Sequence, residues 1–127
     1  MARTPSELEP SDIAFLRERH LGTLTTLRPD GTPHVVAIAF VHDRGTVTVL
    51  ARDGGQKVVN VEAGSRAVVC QVDGRRWLSL EGTARVSRER VEIDQAVARY
   101  QERFRPVSEN PERVIIVISV DRVLGHG

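Results

Sequence analysis

At 127 residues the chain has room for one hydrophobic core and not two. Its 40% hydrophobic and 28% charged residues are those of an ordinary globular domain, which excludes a disordered or low-complexity protein. A formal net charge of +1 gives no overall reason to bind nucleic acid or a membrane surface, no apolar run approaches a membrane span, and the polar start from Met1 to Pro10 lacks a signal-peptide core, so a cytoplasmic protein is expected.

Residues up to Pro10 read as a loose lead-in. Ser11 or Asp12 then caps a short helix through Ile13, Phe15 and Leu16 to about Arg19. From Leu21 to Leu27 the pattern is extended, and Arg28-Pro29-Asp30-Gly31 is a turn with proline at an early position and glycine where φ must be positive. A second extended run, Pro33 to Val41, completes a hairpin and is apolar on both alternations. His42-Asp43-Arg44-Gly45 turns the chain into a third strand, Thr46 to Ala51. Ala63-Gly64 ends a short helix, and Arg66 to Val72 is a fourth strand. Cys70, the only cysteine, lies in it and is expected to be a small buried hydrophobe. Asp73-Gly74 turns into a long fifth strand, Arg76 to about Val86, in which Gly82 marks a bulge or a sharp bend. Ser87 caps a helix to Phe104 whose stripe Ile93, Val97, Tyr100 and Phe104 packs on the sheet. Arg113 to Val123, apolar throughout at Val114-Ile115-Ile116-Val117-Ile118, is the sixth strand.

The pattern predicts a mainly β, α+β domain over 1–127: a six-stranded antiparallel barrel with a few short helices. The second, fourth and sixth strands are apolar on both faces, more than a barrel interior and these helices can cover, so a homodimer is expected.

The stretch from Leu50 to Asn60 joins a strand end, the pair Gly54-Gly55 and a helix start, a place where backbone N–H groups converge on an anion. Lys57, the only lysine among the eighteen Lys and Arg residues, sits there. The glycine spacing is not that of a Walker loop, and a solvated lysine after an ordinary turn is the alternative. His20, His34, His42 and His126 have no metal-ligand spacing, and neither a nucleophile elbow nor a recognisable pair of catalytic carboxylates is present. His34 reads as structural or solvated, and Trp77, taken alone, as core packing. No catalytic side chain and no metal are expected; an organic cofactor would carry the chemistry.

Leu21-Gly22-Thr23-Leu24-Thr25-Thr26-Leu27 followed by Pro29-Asp30-Gly31-Thr32-Pro33-His34-Val35-Val36 resembles the opening hairpin of the split-barrel flavin and deazaflavin oxidoreductases, relatives of pyridoxamine 5′-phosphate oxidase. That family carries Ser-Arg-Lys or a similar triplet on the cofactor phosphate, and Gly55-Gln56-Lys57 occupies its place. Its fifth strand, of the form Arg-Gln-Val-x-Val-x-Gly, reaches the cofactor of the other subunit; Arg76-Trp77-Leu78-Ser79-Leu80-Glu81-Gly82 matches it, with Trp77 in place of the glutamine. The resemblance runs from about Ile13 to Leu124. Phe15-Leu16-x-Glu18-Arg19-His20-Leu21, Gln71-Val72-Asp73-Gly74 and Arg122-Val123-Leu124-Gly125 resemble in particular the short actinobacterial F420-dependent biliverdin reductase group.

The resemblance implies a split-barrel homodimer with reduced coenzyme F420 between the subunits. Lys57 and the backbone at Gly55 and Gln56 would hold the phosphate. Backbone of Pro33, His34, Val35 and Val36, and of Leu50, Ala51 and Arg52, would flank the deazaflavin ring, and Trp77 of the partner would cover the ring or the tail. The implied reaction passes a hydride to a small organic acceptor, a tetrapyrrole such as biliverdin. FMN is the alternative cofactor, although Gly55 and Gln56 in place of Ser-Arg weigh against a tight grip on it. A non-catalytic flavin-, deazaflavin- or haem-binding protein is the other alternative.

Overall fold

The computed structural model describes residues 2–127, so Met1, part of the expected lead-in, lies outside them. After a 3-10 turn at Pro5–Glu7 come α1 (Pro10–Arg17), β1 (Gly22–Leu27), β2 (Pro33–Ile38), β3 (Val41–Asp43), β4 (Thr46–Arg52), α2 (Gln56–Glu62), β5 (Ala67–Asp73), β6 (Arg76–Ser87), α3 (Arg90–Arg103) and β7 (Arg113–His126). The strands form one antiparallel sheet in the order β2-β1-β5-β6-β7-β4-β3.

This corrects the expected six-stranded barrel. There are seven strands, and the sheet ends at β2 and β3 without closing into a barrel. The run read as one strand from Pro33 to Val41 is two. β2 exhausts its partner where Ile38 pairs with Gly22, the first residue of β1; the chain breaks at Ala39-Phe40, and Val41 pairs with Thr48 of β4 instead. Apolar residues at every position from Val35 to Val41 leave no alternation from which the break could be read.

The inner face of the sheet surrounds one core. Leu24, Val47, Val49, Val69, Leu80, Ile116 and Ile118 pack there with Phe15 and Leu16 of α1 and Val58 and Val61 of α2. Phe15 and Phe40 are fully buried, each worth roughly 1.5–3 kcal/mol. On the opposite face α3 lays Ile93 and Ala96 over Ile115 and Val117, so β7 is covered on both sides within one chain. The same outer face of β1, β5 and β6 has no helix over it. Val72 is 58% exposed and Trp77 42%, which overturns core packing for the tryptophan.

Gly82 does mark a bulge. Glu81 pairs with Arg122 and Gly82 with Val120, leaving Asp121 as the extra residue, held by a bidentate pair to Arg66 at 2.6 and 3.0 Å. A Cβ on Gly82 would stand 1.9 Å from the Ser119 carbonyl oxygen, so only glycine fits. The N-terminal segment is not loose. Arg3 exchanges two backbone hydrogen bonds with Val123, at 2.7 and 2.8 Å, and its side chain pairs with the buried Asp12 at 2.7 Å. Asp12 does not cap α1 from its start but sits in the first turn and accepts from the Glu9 N–H at 2.8 Å.

Candidate functional site: a cationic cleft at the end of β4

The last residues of β4 emerge at the end of the sheet beside the start of β7, where Arg52 stands directly opposite Arg113 in the ladder. Opposed residues of an antiparallel pair project from the same face, and two like charges so placed destabilise a sheet unless something neutralises them. Among the described residues neither arginine forms an ion pair. Both line a cleft of about 370 Å³ together with Lys57, which is likewise unpaired. Leu50, Ala51 and the Ala37-Ile38-Ala39 end of β2 supply its apolar part; Tyr100 of α3 and Val107 and Asn110 of the following loop complete it. Three cations around an open, partly apolar cleft are a donor set for a phosphate attached to an organic group.

The cleft brings together Leu50, Ala51, Arg52 and Lys57 of the sequence-predicted residues. Gly55 precedes α2 as its N-cap, and Gln56 opens the helix, but neither lines the cleft. Gln56 turns its side chain inward along α2, donating to Asn60 at 2.7 Å, and Asn60 donates to Thr26 at 3.0 Å. With only seven residues, α2 adds little dipole of its own, so the cations carry the electrostatics. Pro33, His34, Val35 and Val36 also lie outside the cleft; β2 contributes its other end. His34 is directly opposite the buried Thr26, and its Nδ1 is buried without a hydrogen-bond partner. Trp77 stands on the uncovered outer face beside Val72, its ring closing over Gly125, and touches the cleft nowhere.

Arg113, Tyr100, Val107, Asn110 and the Ala37-Ile38-Ala39 segment were not among the predicted residues. Arg113 did carry a signal, being a charge directly before the apolar run Val114–Ile118. Its position opposite Arg52 depends on the β4–β7 register, which no local pattern encodes.

The turn that carries the chain from β4 to α2 is tied down from outside. The Asp53 N–H donates to the Glu112 carbonyl at 2.8 Å and the Gly55 N–H to Arg52 at 3.0 Å. Arg88, between β6 and α3, donates to both Asp53 oxygens at 2.8 and 3.2 Å and to both Glu62 oxygens at 3.0 and 3.1 Å. Those bonds hold both carboxyls below their ordinary range. Elsewhere, Glu18, His20 and Asp73 bring possible ligand atoms within 4.8 Å of one another, but Arg76 already occupies both carboxylates at 2.6 Å. Burial pushes the half-buried Cys70 thiol up, as for an inert small side chain.

Residues 9–127 match the family model described as pyridoxamine 5'-phosphate oxidase. The chain is 46% identical over 127 residues to the F420H(2)-dependent biliverdin reductase of Mycobacterium tuberculosis (strain CDC 1551 / Oshkosh), covering 98% of this chain and 93% of that protein. A conserved hypothetical protein of Mycobacterium tuberculosis superposes with a TM-score of 0.78 at 26% identity, over 91% of this chain and 82% of that one. The haem storage protein HutZ of Vibrio cholerae reaches 0.79 at 20% identity, over 94% and 95% of the two chains, a likeness of fold alone.

Proposed function

Because the chain belongs to the pyridoxamine 5'-phosphate oxidase family, we propose that it is a reductase that takes its hydride from F420H2 and passes it to a tetrapyrrole such as biliverdin. The family places it among proteins built around flavin-type cofactors; the choice of F420 follows the activity carried in the name of its 46%-identical relative. The single observation that supports the site is the grouping of Arg52, Lys57 and Arg113, unpaired, around one cleft.

When bound, reduced F420 supplies a hydride. The protein's part is placement. Lys57, Arg52 and Arg113 neutralise the phosphate, Leu50, Ala51 and the Ala37–Ala39 segment exclude water from one side, and Tyr100 and Val107 wall the other. The buried Nδ1 of His34 fits a ligand or water donor at the start of β2, the end away from the cleft, in the segment the resemblance assigns to the ring. Gly55 and Gln56 contribute through the backbone of the turn that sets Lys57 in place. Pro33, Val35 and Val36 are proposed as ring contacts only in the assembled dimer, where Trp77 of a second copy of the chain would cover the ring or the tail.

The dimer is part of the same proposal, supported by the uncovered outer face where Val72 of β5 and Trp77 of β6 stand exposed opposite one another. The protein's site in the cell is proposed as the cytoplasm; no helix is long and apolar enough to cross a membrane among the described residues.

FMN is the second reading, since three cations would hold its phosphate equally well. A fluorescence titration of F420 against FMN separates the two. Tighter F420 binding, with oxidation of F420H2 when biliverdin is added, is the expected result; tighter FMN binding moves the function to the flavin.

A further inference from the structure

The acids that flank the cleft in sequence, Asp53 and Glu62, pair with none of its three cations. Asp53 follows Arg52 directly and stands four residues before Lys57 across a tight turn. Paired with one of those cations, the Asp53 carboxylate would cancel one of the three positive charges of the cleft before any ligand arrived. Asp53 instead points to Arg88, outside the cleft, and the same guanidinium also holds Glu62 at the far end of α2. Arg88 is 48% exposed in its side chain and borders no part of the cleft, so the fork adds little to stability as a surface salt bridge. What it does change is which cation the two acids serve.

We propose that Arg88 is a positioning residue that keeps the anion site cationic, by withholding the carboxylates of Asp53 and Glu62 from Lys57, Arg52 and Arg113. This rests on the reading of the cleft as a phosphate site. Its effect is electrostatic competition: with Arg88 gone, the Asp53 carboxylate competes with the ligand phosphate for the same three cations, and Glu62 adds a second uncompensated negative charge behind α2.

The test compares wild type, Arg88→Gln, Asp53→Asn and the double variant Asp53→Asn/Arg88→Gln by fluorescence titration with F420, and with FMN in parallel, at low and high salt. Arg88→Gln is expected to weaken binding about three- to tenfold at low salt, less at high salt, and to raise the half-saturating cofactor concentration without changing turnover. The double variant is expected to recover most of the lost affinity, because the competing Asp53 carboxylate is gone and only Glu62 remains uncompensated although the clamp is also gone. Equal weakness in the double and the single variant would mean that Arg88 acts only as a geometric clamp, and that result overturns the proposal. So does unchanged binding in Arg88→Gln. Wild-type protein that binds neither F420 nor FMN overturns the cofactor reading itself, and this proposal with it. Thermal melting of all four proteins identifies any variant whose loss comes from misfolding.

Discussion

Gln71 accepts a hydrogen bond from the Arg103 guanidinium at 2.7 Å through Oε1 and donates to the Phe15 carbonyl at 2.8 Å through Nε2, so a positive charge sits in the interior with no carboxylate against it. The other donors of Arg103 go to the carbonyls of Glu18 and Phe40, and its plane stacks on Phe40 and Phe104 at 4.7 Å. Burial lowers the pKa of this guanidinium to about 10, still well above neutral pH. It joins the end of α3, the end of α1 and the break between β2 and β3. Truncation by Arg103→Ala leaves the buried Phe40 carbonyl and Gln71 Oε1 without this partner, while the Glu18 carbonyl keeps the His20 N–H, and is expected to cost about 3–5 kcal/mol in urea unfolding. Arg103→Lys should recover little, because one ammonium cannot serve three diverging acceptors. Stability equal to wild type in either variant would refute the role.

Lys57 and Arg113 should weaken cofactor binding in the same way when removed. Each substitution to alanine deletes a charge-assisted contact of roughly 1.5–3 kcal/mol, so affinity should fall by about one to two orders of magnitude. Turnover at saturation should stay near wild type if the contact is equal in ground and transition states. Lys57→Ala protein that binds F420 normally at low salt would remove the phosphate assignment.

Sedimentation at micromolar concentration should give about twice the mass of one chain. Val72, 58% exposed, lies directly opposite Trp77 on the uncovered face, and Val72→Asp places a charge in the middle of it. The variant should sediment as a monomer and lose any contact that Trp77 makes across the dimer. A wild-type monomer would remove both the dimer and the shared site.

Acid should loosen the α1 end of the molecule. Arg76, and then His20, hold the Glu18 carboxyl at about 2, against 4.5 for an unperturbed group. Burial pushes the Asp12 carboxyl up, but bonds from Arg3, Gly127 and Glu9 outweigh it and leave it below its ordinary range. A depressed carboxyl stabilises the fold above its unfolded pKa, and the contribution fades as pH falls through the folded value. Unfolding curves for Glu18→Gln and wild type should therefore differ most near neutral pH and converge toward pH 2. A gap that stays constant with pH would show that the pair contributes nothing through ionisation.

Short-range chemistry was legible in the sequence. Pro29-Asp30-Gly31 and Asp73-Gly74 gave their hairpins, Gly64 the end of α2, and Gly82 the bulge, because each depends on a few neighbouring residues. The division at Ala39-Phe40 was not, since it is set by where β1 begins and by a hydrogen bond from Arg103, sixty-three positions away. Arg103 itself sits on a helix whose apolar stripe ends at Phe104, and nothing local distinguishes a buried arginine from its exposed neighbours. At the site, Leu50 to Lys57 is one contiguous stretch and was found, whereas Arg113 joins it only through register.

The place of β7 also dictates the order in which the molecule can assemble. It follows every other strand in the sequence yet lies between β6 and β4, with eleven partners on one side and seven on the other. Until it arrives, the β1-β2-β5-β6 half and the β3-β4 hairpin share no ladder, and each keeps one apolar edge open. The fold must therefore complete late, through pairings distant in sequence, which makes for slow folding and a nascent chain exposed to edge-to-edge association. Arg52 and Arg113 meet only in that final step, so the cationic cleft cannot exist in any partly folded form of the chain.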